Sequence, residues 1–183
     1  MENLHWGARQ NAGSKVTIPL LQGGEEVATF TMDKSDKTTT AKVGERTWEL
    51  TVEPKKEARA KIAVETSKPI EYSAVPEEGR FDRAKRIRAD LGGTEFTLVN
   101  EAKTDWVVLD AEGEKVGQFT GANHGVRHVE LEIEPGAEVS QDQAVFLAWL
   151  ARIALEARLV GSTWILTVSL LVLSPIIIWI FLL

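Results

Sequence analysis

The 183-residue chain contains no cysteine. Disulfides, thiolate nucleophiles and cysteine-ligated zinc or iron–sulfur centres are thereby excluded. Catalytic signatures are missing too. There is no G-x-S-x-G, no glycine-rich loop of the phosphate-cradling kind, and no nucleophile–base pair at a recognisable spacing. The first ten residues, MENLHWGARQ, hold no basic stretch followed by an apolar one, so no signal peptide is expected there. There is no Asn-x-Ser/Thr sequon. Positive charge is in short supply: 21 Lys and Arg face 27 Asp and Glu, for a net charge of −6. An acidic chain of this kind is a poor general partner for nucleic acid, which demands a basic surface. Charge of either sign is absent from Leu159 to Leu183.

That last absence marks the sharpest boundary in the chain. Trp164 to Leu183 reads WILTVSLLVLSPIIIWIFLL. At about 1.5 Å rise per residue a helix of this length reaches roughly 30 Å, the thickness of a hydrocarbon core. Trp164 suits an interfacial belt, and Pro175 can kink such a helix without forbidding the span. One transmembrane helix is therefore expected over 164–183. A second apolar run, Ala144 to Ala151, differs. Ser140 and Gln143 form an S-x-x-Q capping box ahead of it. Arg152, Glu156 and Arg158 follow within two turns, and a charge near a bilayer centre costs about 2.5–3.5 kcal/mol. A helix that is apolar all round and not in lipid must be enclosed by protein. We expect a sheathed helix over 141–160, separated from the span only by Gly161 to Thr163.

Most of the chain before Ser140 alternates with period two. Trp48, Leu50 and Val52 alternate with Glu49, Thr51 and Glu53. Ala60, Ile62 and Val64 do so with Lys61, Ala63 and Glu65, and Val129, Leu131 and Ile133 with glutamates. Each is a strand with one buried and one wet face. Turn signals such as Gly23-Gly24, Pro76 to Gly79, Gly92-Gly93 and Pro135-Gly136 punctuate them. The count is about twelve strands, beginning with one over 3–8. So many antiparallel strands either stack as two sheets or close on themselves. Closure leaves an interior to fill, and Ala144–Ala151 is the obvious filler. The expected fold is mainly β: a closed antiparallel barrel of about twelve strands around a hydrophobic C-terminal helix, in a domain over 1–160, followed by the membrane anchor over 164–183.

Three segments carry a family resemblance: TDWVVLDAEGEKVGQFTG (Thr104 to Gly121), the charged strand VRHVELEIEPG, and the helix DQAVFLAWLARIAL. In this order they resemble the tubby-like superfamily, which includes the LURP-one-related proteins and the phospholipid scramblases. The resemblance covers Met1 to about Val160. It implies a twelve-stranded barrel around a very hydrophobic C-terminal helix, with an outer surface able to hold anionic lipid head groups. The chain departs from it by continuing into a span. It also lacks the cysteine-rich stretch and calcium-loop pattern associated with scramblases, so lipid scrambling is not implied.

Two basic clusters stand out. Lys55 to Lys61 reads KKEARAK, and Arg80 to Arg88 reads RFDRAKRIR. Lys and Arg near an anionic leaflet are worth about 1 kcal/mol each. A tether would hold them at high effective concentration. The candidate head-group ligands are Arg80, Arg83, Lys85, Arg86 and Arg88, with Lys55 and Lys56. The competing reading is a solvated strand edge, where lysine and arginine discourage aggregation. His124 and His128 have a chelating spacing only on a helix. In a strand, four residues span about 13 Å, so no metal site is expected. Paired acids such as Glu25-Glu26 and Glu77-Glu78 could in principle hydrolyse, but Glu130, Glu132 and Glu134 alternate with core residues and mark a wet face. Trp48 and Trp106 read as barrel core or rim.

The charges nearest the span lie on its N-terminal side, where Arg152 and Arg158 outweigh Glu156. The positive-inside tendency then places the barrel in the cytoplasm of a single-pass, tail-anchored protein. The expected function is a membrane-tethered, non-enzymatic module binding anionic lipid head groups. The alternative is a tail-anchored adaptor recruiting a partner protein to the membrane. No cofactor, catalytic residue or nucleic-acid partner is expected.

Overall fold

In the computed structural model the described residues are 2–53, 56–64, 68–102, 104–121 and 129–158. The first half contains β1 (Leu4–Trp6), β2 (Gln10–Ala12), β3 (Lys15–Gln22), β4 (Glu25–Asp33), β5 (Thr39–Val43), β6 (Arg46–Glu53) and β7 (Glu57–Ile62). The second contains β8 (Ile70–Pro76), β9 (Arg86–Leu91), β10 (Glu95–Asn100), β11 (Trp106–Leu109), β12 (Lys115–Thr120) and β13 (Glu130–Ile133). A helix, α1, covers 141–158.

From β3 to β13 each strand pairs antiparallel with the next, and β1 pairs with both β13 and β3. The sheet therefore closes as a twelve-stranded antiparallel barrel. The first strand differs from the expected single run over 3–8. β1 lies against the Leu20–Gln22 end of β3, and β2 lies against the Lys15–Thr17 end. The break falls opposite Pro19, which has no N–H for a ladder bond. Gly7 accommodates the bend: its N–H donates to the Pro19 carbonyl at 2.8 Å, and a Cβ there would stand 2.8 Å from Pro19 Cγ.

About eight strands enclose a lumen that their own side chains fill. Twelve need a plug. Residues 144–151 of α1 are all buried, in one core with the inward strand residues. Several of those inward residues are small. Ala58, Ala74 and Ala89 lie in register across β7, β8 and β9 and leave room for the helix. Trp48, Tyr72, Trp106 and Phe119 fill the wider parts. Edge-on contacts run from Trp48 to Tyr72 and on to Phe146 of the helix.

The start of α1 is fastened as its sequence predicts. Gln143 N–H donates to Ser140 Oγ at 3.3 Å, and Ser140 N–H donates to Gln143 Oε1 at 2.9 Å. Arg46 in the β5–β6 hairpin bonds Asp142 at 2.7 Å. The helix thus enters near the β5–β6 and β9–β10 turns and runs toward the β4–β5, β6–β7 and β8–β9 connections. Among the described residues no helix is long and apolar enough to cross a membrane. The expected span, Trp164–Leu183, lies outside them.

Candidate functional site

At the end of the barrel toward which α1 runs, part of the inward-facing wall is exposed. Ala28, Phe30 and Met32 all face inward on β4, as do Trp48, Leu50 and Val52 on β6. Yet Met32 is 49% exposed and Val52 38%, while Ala28 and Trp48 are 3% and 0%. Inward-facing apolar wall is left uncovered there. It forms an open groove of ≈ 1560 Å³ floored by α1.

The rim of this mouth is basic. It carries Arg9 from the β1–β2 break, Lys37 from the β4–β5 turn, Arg80 and Arg83 from the β8–β9 connection, and Arg152 and Arg158 from the helix. Asp82 and Glu156 are its acids, and Glu49 borders it from the outer face of β6. Arg80 forms a two-pronged pair with Asp82, both bonds 2.8 Å. That pairing holds the Asp82 carboxyl below its usual range. Arg152 donates to Glu156 at 2.7 Å and lies over the Trp6 ring at 5.0 Å. Among the described residues, no carboxylate pairs with Arg9, Lys37 or Arg83.

Arg158 stitches α1 to the wall. It donates to Asn100 Oδ1 at 3.0 Å and to the Ala84 carbonyl at 2.6 Å, and its guanidinium lies 4.9 Å above the Trp106 ring. Burial pushes its pKa down.

The expected head-group residues separate into three sets. Arg80 and Arg83 are on the mouth, in a connection pinned by fully buried Phe81 and Ala84. Arg86 and Arg88 point outward from β9 and share Glu77, at 3.8 and 3.7 Å. Lys85 lies between, exposed, its N–H bonded to Glu78 at 3.0 Å. Lys56 sits in the β6–β7 turn at the same end and pairs with Glu53 at 3.2 Å. Lys55, His124 and His128 lie outside the described residues. Sequence reading missed Arg9 and Lys37, which stand alone in acidic or polar surroundings and meet the others only through barrel closure.

The two ends of the barrel differ in charge. Connections at the mouth carry Lys34, Lys37, Lys56, Arg80, Arg83 and Lys85 against Asp36, Glu77, Glu78, Asp82, Glu101 and Asp105, so cations and acids balance there. Connections at the opposite end carry Glu45, Asp110, Glu112, Glu114, Glu134 and Glu138 against Lys68. On the outer wall, Glu49, Arg59 and Lys61 border a shallow dimple, where Arg59 is neutralised by Glu57 at 2.9 Å. No group of three or more potential metal ligands occurs among the described residues. No family model, curated protein or solved structure matches the chain.

Proposed function

We propose that this chain is a membrane-tethered, non-enzymatic barrel of the tubby-like kind that binds anionic lipid head groups. Residues 164–183 are its transmembrane anchor and the barrel is cytoplasmic. The observation that carries the reading is the charge polarity of the barrel. The connections at the end from which residue 158 leads toward the uncharged run balance their acids with cations, whereas those at the opposite end are acidic. A tether leaving from that end would bring Arg80, Arg83, Lys85 and Lys56 close to an anionic leaflet and keep the acidic end away. Each such cation is worth about 1 kcal/mol near the surface, less as salt rises.

The adaptor reading has one observation of its own. Among the described residues β2 pairs with β3 alone, and a free strand edge can accept a partner strand. It is only three residues long, which favours the lipid reading.

The test uses the full chain in phosphatidylcholine nanodiscs, with and without phosphatidylglycerol, followed by amide hydrogen exchange. Anionic lipid should slow exchange at the 33–38 and 77–85 connections. High salt should reverse this, and so should reversing the charges of Arg80, Arg83, Lys85, Arg86 and Arg88. Identical exchange in the two bilayers would refute the lipid reading and leave the adaptor.

A further inference from the structure

We infer that the open mouth of the barrel takes up an acyl chain of an anionic phospholipid drawn from the bilayer, with its phosphate held by Arg9, Lys37 and Arg83. This rests on the membrane-tethered reading and adds a second contact to it, beyond head-group attraction. Three features point the same way. The groove wall is apolar, formed by Val16, Ile18, Phe30, Met32, Leu50 and Val52. Its volume of ≈ 1560 Å³ exceeds the range of about 300–1,000 Å³ usual for compact ligands. It is open along one side, which suits a long flexible chain. The cations stand on its rim, and Arg9, Lys37 and Arg83 form no ion pair among the described residues, although Arg83 lies near enough to Asp82 to help lower its pKa.

The occupant follows from charge complementarity. The chain's own run over 164–183 is apolar but carries no charge, so it would leave the cations unanswered. A phosphatidylcholine head group brings its own compensating cation. An anionic phospholipid supplies both an apolar tail and an unbalanced phosphate. Energetics select the same feature. A tail moving from bilayer to groove leaves one apolar medium for another and gains little. The gain lies in covering Met32 and Val52, which otherwise face water. That gain is the same for every phospholipid, so the head group decides which one is taken.

The test is photocrosslinking of the full chain in phosphatidylcholine nanodiscs doped with a phosphatidylglycerol that bears a diazirine near the end of one acyl chain. Adducts are mapped by mass spectrometry. Adducts on Met32, Val52 or Ile18 are expected. They should be several times weaker with a phosphatidylcholine probe of the same design. Each reversal among Arg9→Glu, Lys37→Glu and Arg83→Glu should reduce them by more than about fivefold at low salt. All three positions are exposed, and the wild-type comparison of the two probes needs no variant to fold. Adducts confined to 159–183 would overturn the inference. So would equal labelling of Met32 and Val52 by both probes, which signals mere closeness to the bilayer. If hydrogen exchange still responds to phosphatidylglycerol in either case, the head-group reading survives and only the acyl site is lost.

Discussion

Replacing Phe146 by alanine separates a helix packed inside a barrel from one bathed in lipid. Phe146 is fully buried. Its ring meets Tyr72 of the wall at 5.5 Å, edge to face, and Trp149 of its own helix at 5.4 Å. Truncating a buried phenylalanine costs about 3–5 kcal/mol, because the walls relax only partly around the hole. Here the strands on every side are hydrogen-bonded to two neighbours and cannot collapse inward easily, so the upper half of that range is expected. Against a whole stability of about 5–15 kcal/mol this is a large share. Urea unfolding of the full chain in mild detergent, read by tryptophan fluorescence, should show the midpoint fall by about 1 M or more at constant slope. Phe146→Leu, which keeps most of the volume, should cost under about 1.5 kcal/mol. In lipid the vacated space would be refilled by acyl tails, and the helix would have no hydrophobic reason to prefer its neighbours. A loss below about 1 kcal/mol for Phe146→Ala would show that the barrel does not grip its helix.

Other expectations follow from single contacts. Arg158→Ala removes two charge-assisted bonds and leaves the Ala84 carbonyl unanswered in a half-buried site. It should cost about 2–3 kcal/mol, with Arg158→Lys recovering less than half because an ammonium cannot reproduce the fork; thermal melts of the three proteins check this. Gly117→Ala should destabilise by about 1–3 kcal/mol, since its Cβ would stand 2.6 Å from the Glu132 carbonyl of the neighbouring strand; the same urea titration reads it. Tyr72 is the chain's sole tyrosine, and burial is the main cause raising its pKa, followed by the Asp142 charge. Its neutral form stabilises the fold fully below the ordinary tyrosine value near 10, and that contribution is lost as pH rises through the folded value. Phenolate absorbance should therefore appear above pH 10 and coincide with loss of stability. In Tyr72→Phe the alkaline loss should be smaller, and a phenolate signal at the ordinary value would show the ring to be wet.

The wall of the barrel was legible because alternation is a local signal. Trp48 and Leu50 are buried as their positions predict, and so are Ala60, Ile62, Leu131 and Ile133. The central helix was legible because a run apolar on every face has few places to go, and its cap was written in Ser140 and Gln143. Pro19 interrupts the partner strand instead of its own, so the break between β1 and β2 could not be placed without knowing that β1 and β3 pair. The mouth was illegible for a related reason. Val52 reads as a core residue and does face inward, yet it is 38% exposed at the mouth, and how far one element covers another is written in neither segment alone.

The basic cluster shows the same division between local and closed-ring information. Arg80 to Arg88 looks like one patch in the chain. Strand alternation turns Arg86 and Arg88 out onto the wall, where Glu77 holds both, and the buried pair Phe81 and Ala84 draws Arg80 and Arg83 to the rim. Arg9 and Lys37, each unremarkable where it stands, arrive beside them only because the first and last strands meet. The positive edge is thus a product of ring closure. Loosening closure at β1 should disperse it while leaving every local strand pattern intact. Leu4, fully buried at the β1–β13 seam, is the residue to test. Leu4→Ala should cost about 2–5 kcal/mol and should weaken the lipid-dependent exchange protection at 77–85 even in conditions where the protein remains folded. Retained protection at full strength would mean that β8 and β9 present their cations without help from the seam.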